Sequence, residues 1–313
     1  MFSEKIYVIT GGNGPERMGS LASGRDVVAA LTSLGYEAEM FDLADVSATL
    51  NHVKQGVVFL TTHGWYGEDG KLQGALDLLG VPYLGSGVTA SAVSMFKPLC
   101  LHVAQSLGII TPRWTEINPN EDASVESSRL FNLLGPDIFV KPSSGGGSLE
   151  ARAIASEKDL ICFLQQVDST YSYIASTYIR GTDVSVSLLD LVGEVTCLPM
   201  LATHHDSEFY DYEVKHNAAL RQHSCPADIP DHTKEIMESA ARNLFHTLKC
   251  RAFARFDFMV DDHGTPWFLE INTLPGMSRA GNLATMANAA NISYSDLIQT
   301  LIGTISSDVH YHP

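Results

Sequence analysis

The sequence has no Cys-x-x-Cys pair, no long apolar run and few basic side chains, and each shortage removes a class of protein. The five cysteines, Cys100, Cys162, Cys197, Cys225 and Cys250, are odd in number and widely spaced, which fits reduced thiols in a cytoplasm. A membrane-spanning helix needs roughly 20 consecutive apolar residues, and none is expected here. The chain enters a strand at once without a signal-like segment, so a cytoplasmic location is expected. Lys and Arg number 20 against 36 Asp and Glu, a formal charge of −16, which argues against non-specific nucleic-acid binding. Any lysines gathered around an anion are then a local choice against the overall balance.

The composition, 45% hydrophobic and 18% charged over 313 residues, is that of a globular protein with two or three packed units. Its most informative stretch is 254–272. Both arms alternate polar and apolar residues with a period of two, and Asp262-His263-Gly264 between them is turn chemistry, so a β-hairpin is expected. With His263 and Gly264 as a two-residue loop, Asp262 pairs with Thr265, Asp257 with Glu270 and Arg255 with Asn272. Those last four side chains share one face, while Phe256, Phe258, Val260, Leu269 and Ile271 take the other. Carboxylates directly opposite each other repel and call for a cation. Oxygen donors from Asp257, Glu270 and Asn272 suit Mg²⁺ (or Mn²⁺) shared with substrate phosphates. The plainer alternative is a solvated hairpin face.

The first part of the chain reads as a parallel α/β unit. A buried strand at 5–10 meets the turn Gly11-Gly12-Asn13-Gly14, then an amphipathic helix to about Leu34, with further strands at 36–41 and 56–61. A dinucleotide fingerprint ending on Asp42 would need a third glycine, which is missing, and Glu16 suits an ammonium group better than a pyrophosphate. The third strand runs into Thr62–Gly70, at the edge where open sheets bind ligands; His63 there reads equally as a structural residue or a ligand contact. A fourth strand at 81–84 leads through Gly85-Ser86-Gly87 into a helix around Ala90–Ser94, and a boundary is placed near 95.

In the second unit a strand ends on Lys141 and passes through a glycine-rich loop to Ser148, a strand at 151–155 and a capping box at Ser156–Asp159. The lysine precedes the glycines and the loop joins strand to strand, so this is no Walker loop. Its unobstructed N–H groups can still cover phosphates, or it is a plain solvent loop. Strands at 171–179, the first an edge, and 181–187 follow. The polar stretch 203–227 reads as a functional lid, and a helix from about Pro230 to Leu248 leads into the hairpin.

Taken together these motifs resemble the D-alanine–D-alanine ligases of the ATP-grasp superfamily over nearly the whole chain. The resemblance is carried by Gly11-Gly12…Glu16-Arg17…Ser20, His63-Gly64…Gly67-Glu68-Asp69-Gly70, Val140-Lys141-Pro142-Ser143, Tyr210-Asp211-Tyr212-Glu213…Lys215 and Arg255…Asp257…Glu270…Asn272 through Met277. It implies a mixed α/β (α+β) ATP-grasp fold. An N-terminal substrate-binding subdomain would span 1–95, a central subdomain 96–180 and a C-terminal one 181–313 with lid and metal hairpin. It further implies that ATP phosphorylates a carboxylate and that an amine attacks the acyl phosphate. By position, Lys97, Lys141, Ser148, Tyr178, Asp183 and Lys215 would contact ATP, and Asp257, Glu270 and Asn272 would hold Mg²⁺. Glu16 and His63 would hold the first substrate's ammonium, and Arg255 with the Gly276 amide the developing oxyanion. The family is commonly dimeric, so a homodimer acting on small amino-acid-like substrates is expected.

Two departures from the family lie at the nucleotide, near the adenine and the ribose, and the rest lie in the acceptor half. Ser176 stands where a Glu is usual and Asp183 where a second acid is. The loop serine falls at Gly147 and the lid tyrosine at His216. After Met277 a Ser-Leu pair is replaced by Ser278-Arg279-Ala280-Gly281-Asn282-Leu283. The sequence is therefore expected to encode an ADP-forming carboxylate–amine ligase with a non-standard acceptor, in which Arg279 or Asn282 takes the acceptor's carboxylate. The alternatives are a genuine D-alanine–D-alanine ligase, a non-catalytic nucleotide-binding protein and a nicotinamide oxidoreductase.

Overall fold

The computed structural model describes residues 5–53, 56–145, 151–167, 170–191, 194–205 and 221–305. In the first part β1 (Ile6–Thr10), α1 (Arg17–Ser33), β2 (Ala38–Asp42), α2 (Val46–His52), β3 (Val57–Leu60), α3 (Lys71–Leu79), α4 (Val88–Met95) and α5 (Lys97–Ser106) follow in order. Strands β2, β1 and β3 form a parallel sheet in that order, as alternating strands and helices require. The expected strand at 81–84 is reduced to a parallel bridge, Val58 to Tyr83. Pro82 contributes a carbonyl to Val58 but has no N–H to extend the ladder. At the glycine-rich turn the Gly12 N–H donates to Asp42 Oδ1 at 3.1 Å, and Arg17 holds the same carboxylate, so the dinucleotide reading has lost its acid.

The middle part contains β4 (Trp114–Glu116), α6 (Ala123–Leu134), β5 (Ile138–Pro142), β6 (Arg152–Ile154), α7 (Glu157–Gln166) and β7 (Tyr173–Thr177). These strands form an antiparallel sheet in the order β4-β7-β5-β6. The 171–179 strand is thus internal and not the expected edge, because the three-residue β4 covers it. Helices α6 and α7 pack on this sheet around Leu130, Leu134, Leu160 and Phe163.

The last part adds β8 (Thr182–Leu191), β9 (Glu194–Cys197), β10 (Leu201–His205), β11 (Arg221–Ser224), α8 (Asp231–Thr247), β12 (Phe253–Val260), β13 (Pro266–Asn272), α9 (Asn282–Ala289) and α10 (Tyr294–Gly303). Its sheet runs β11-β10-β8-β12-β13, with β9 also on β8. Both described ends of the polar 203–227 stretch are strands, paired from Ala202–Ser224 to His205–Arg221; the rest of that stretch lies outside the described residues. Phe256, Phe258 and Phe268 are buried on the core side, each contributing about 1.5–3 kcal/mol.

The hairpin keeps the expected pairs Arg255–Asn272 and Asp257–Glu270, but its tip differs. Val260 pairs with Pro266, and the two-residue loop gives way to one spanning 261–265. Asp261 builds that loop: Oδ1 accepts the His263 and Thr265 N–H groups and Oδ2 the Trp267 indole. The one-residue offset is absorbed by a bulge between Asp257 and Phe258 on the pairing ladder. Leu269 is the extra residue. It leaves the apolar row assigned to it and lines the cleft, while Phe268 fills the core.

The chain returns to its starting point at the end. Leu283, Met286, Leu297, Ile298, Leu301 and Ile302 from α9 and α10 share one core with the β1–β3 strands and α1.

Candidate functional site

The polar face of the hairpin opens into a cleft of about 1060 Å³ between the middle and last sheets. The register puts Asp257 opposite Glu270 on one side and opposite Ser185 of β8 on the other. Asp257 Oδ1 accepts from Arg255 Nε at 2.8 Å and Ser185 Oγ at 2.7 Å; Oδ2 accepts from Arg255 Nη2 and Asn272 Nδ2, both at 2.9 Å. Burial works against the charge on Arg255, yet Asp257, backed by Glu270 and Glu68, holds its pKa above normal.

Two lysines face this row. Lys97 Nζ lies 3.8 Å from Glu270 Oε2 and donates to the Gly145 carbonyl at 2.7 Å. Lys141 lines the same cleft; burial pushes its pKa down to about 8 against the attraction of Glu270.

For a divalent cation the donor set fits: Asp257, Glu270 and Asn272 offer hard oxygens on one face. Asn272 uses its Nδ2 on Asp257, which leaves Oδ1 to accept. Among the described residues no three His, Cys, Asp or Glu side chains gather as a metal cluster, so an ion here completes its shell with water or phosphate oxygens.

Around the rest of the cleft Leu101, Trp114, Phe139, Ile179, Met259 and Leu269 supply apolar walls. Tyr178 stacks on Phe139 at 5.8 Å, and Arg180 lies 5.1 Å from the Tyr178 ring. Asp183 lines the cleft from β8, and Ser176 is buried beside it with its hydroxyl 3.5 Å from the Phe139 carbonyl.

On the opposite side α1 and the turn after β3 meet the segment that follows the hairpin. Glu16 lines the cleft directly over Gly64 (φ +70°), where a Cβ would come within 2.8 Å of its Oε2. His63 has both ring nitrogens engaged, Nδ1 with the Leu274 carbonyl at 3.1 Å and Nε2 with Ser23 Oγ at 3.2 Å. Glu68 is buried beneath and accepts the N–H groups of Gly64 (2.7 Å) and Leu274 (3.3 Å). Burial, with Glu16 nearby, raises its carboxyl to about 8.

Gly276 lines the cleft, with nothing within 4 Å of where a Cβ would stand. Ser278, Gly281 and Asn282 line it too, the last as the first residue of α9. Arg279 does not join them. Its N–H donates to Asp26 Oδ2 at 2.9 Å and its guanidinium lies 4.6 Å from the Tyr294 ring. Ser148, Lys215 and His216 lie outside the described residues.

Three residues of the site had no role assigned from sequence: Ser23, Glu68 and Ser185. Ser185 was within reach, because Asp183, Ser185 and Ser187 alternate with valines on β8 and this polar row abuts that of the hairpin. Nothing local singles out Ser23 or Glu68.

Two family models match the chain, D-ala D-ala ligase N-terminus over residues 41–86 and D-ala D-ala ligase C-terminus over 103–303. A Bordetella avium protein named D-alanine–D-alanine ligase is 35% identical over 309 residues, covering 96% of this chain and 95% of that one. The crystal structure of the Bacillus anthracis D-alanine–D-alanine ligase superposes with a TM-score of 0.84 at 34% identity, covering 96% of this chain and 97% of the other. That protein's ATP complex matches with a TM-score of 0.82 at 32% identity, again over 96% and 97%. The ATP-grasp fold expected from the motifs is the fold of the chain. With likeness of this extent in both sequence and structure, the chain belongs to the D-alanine–D-alanine ligase family.

Proposed function

We propose that the protein is an ADP-forming carboxylate–amine ligase that joins two small amino acids, or an amino acid and a related nucleophile, using ATP. The observation that carries this reading is the row Arg255, Asp257, Glu270 and Asn272 facing Lys97 and Lys141 across one cleft. Phosphoryl transfer asks for positioning and charge neutralisation more than for covalent help, and this row supplies both. The ATP complex of the Bacillus anthracis relative supports the nucleotide.

Glu16 binds the ammonium of the first substrate. One oxygen of that substrate's carboxylate attacks the γ-phosphorus, the bond to the ADP oxygen breaks, and an acyl phosphate forms. The second substrate's amine then attacks the acyl carbon, phosphate leaves, and the nitrogen loses its proton. Arg255 and the Gly276 N–H stabilise the oxyanion between those events. Asp257, Glu270 and Asn272 would hold Mg²⁺, which would supply charge neutralisation at the phosphates. The division proposed at 1–95, 96–180 and 181–313 has an exception in the packing, since α9 and α10 share the core of the first unit. A homodimer would cover Leu78 and Leu79, exposed at the end of α3.

The acceptor is altered in this reading. A Cβ at Gly281 would stand 3.0 Å from the Gly276 carbonyl and 3.2 Å from Ser278 Oγ, so the backbone closes over the place where a side chain would reach in. Asn282 and Ser278 are left to meet the acceptor. A second reading, a D-alanine–D-alanine ligase proper, is favoured by the 35% identity to a relative of that name. Mg-ATP with D-alanine alone, then with other amine or hydroxyl acceptors, separates the two. Following ADP release and product mass, brisk D-alanyl-D-alanine formation defeats the altered acceptor, and no ADP release under any condition defeats the ligase.

A further inference from the structure

We propose that Ser23 is a positioning residue for the reaction, its hydroxyl linking the Met277 amide to the His63 ring so that the Gly276 N–H is held toward the oxyanion that forms on the acyl group. This rests on the ligase reading above. Gly276 sits between two residues clamped at both of their backbone polar groups. The Leu274 N–H donates to Glu68 at 3.3 Å and its carbonyl accepts from His63 Nδ1 at 3.1 Å. The Met277 N–H donates to Ser23 Oγ at 3.2 Å and its carbonyl accepts from the Tyr294 hydroxyl at 2.6 Å. Pro275 has no N–H. Of the N–H groups of 274–277 that leaves the one on Gly276, a residue that lines the cleft.

Two of these bonds have a fixed direction, the Met277 N–H to Ser23 Oγ and His63 Nδ1 to the Leu274 carbonyl. A carbonyl only accepts, so His63 Nδ1 carries hydrogen. Ser23 takes the Met277 N–H on its oxygen, and in this proposal its own hydrogen goes to His63 Nε2, 3.2 Å away. The ring is thereby assigned the Nδ1–H tautomer, with both nitrogens engaged in hydrogen bonds inside the protein. The substrate ammonium is left to Glu16, and His63 becomes part of the clamp. Ser23 is 2% exposed and lies on α1, whereas its partner amide lies 254 residues further along the chain, so the contact ties α1 and the 274–277 segment to one another.

The test has two arms. In ¹⁵N spectra of the substrate-free protein, His63 should show a protonated Nδ1 and an unprotonated, hydrogen-bonded Nε2. A protonated Nε2, whether in the Nε2–H tautomer or in the imidazolium, overturns the proposal whether or not the protein turns over. In steady-state kinetics Ser23→Ala should lower kcat more than fivefold with the KM for ATP changed less than twofold. A smaller fall in kcat, or a loss that appears equally in the KM for ATP, overturns it. If the variant fails to fold, the tautomer decides alone. If the wild-type protein releases no ADP with any substrate, the ligase reading has failed, and the spectra still report whether the clamp exists.

Discussion

The two walls of the cleft are built on different principles. The hairpin wall is local: residues 255–272 set their own register, three buried phenylalanines fix which face is which, and the reactive row follows from strand geometry. The opposite wall is assembled from distant pieces. His63 reaches Leu274 across 211 positions and Ser23 reaches Met277 across 254. The charged row thus sits on one sheet, whereas the Gly276 N–H and the ammonium site proposed for Glu16 depend on contacts between distant segments. The second wall is accordingly where substrate preference can drift without disturbing the first.

If the hairpin row is the engine, Asp257→Asn or Glu270→Gln should cost on the order of 10³-fold in ADP release, measured with a coupled assay. An unchanged rate would leave a nucleotide-binding protein without chemistry. If the phenylalanines set the faces, Phe256→Ala should cost about 3–5 kcal/mol, read as a shift of the urea midpoint at constant slope.

The second wall is better probed by pH. Glu68 is raised from 4.5 to about 8, so between those values the folded protein keeps a proton that the unfolded chain has lost. Stability should therefore fall as pH rises through that window, by an amount on the order of a few kcal/mol, and Glu68→Gln should flatten the slope in denaturant titrations at pH 5, 6.5 and 8. Lys141 gives the first wall a pH dependence of its own. Its cation is lost from about 8 upward, so nucleotide affinity by calorimetry should weaken above that pH. Lys141→Arg, whose charge does not titrate there, should remove the effect. The mildest test is Ser185→Ala, which takes one donor from Asp257 and should cost about 1 kcal/mol, or roughly fivefold in rate.

Alternation alone located the row that matters, because a period of two leaves little choice about which residues share a face. The pairs Asp257–Glu270 and Arg255–Asn272 were legible for that reason. The bulge at Leu269 was not. It depends on the Asp261 side chain capturing two amides and an indole, and turn residues alone do not show that such a loop outcompetes a two-residue turn. The strand β4 escaped notice because three residues carry no period. Arg279 was assigned to the acceptor by its charge and its nearness to Met277. Its position over Tyr294 depends on how α10 docks, which no short window contains.

The sharing of one core by β1–β3 and α9–α10 has a mechanical result. The polypeptide leaves a body, builds two further sheets and comes back to the same body, so its first and last parts are held together by one core. A fragment stopping near residue 95 would expose the apolar side that α9 and α10 cover, and it should not fold alone. A permuted chain, with residue 305 linked to residue 5 and new ends elsewhere, should fold.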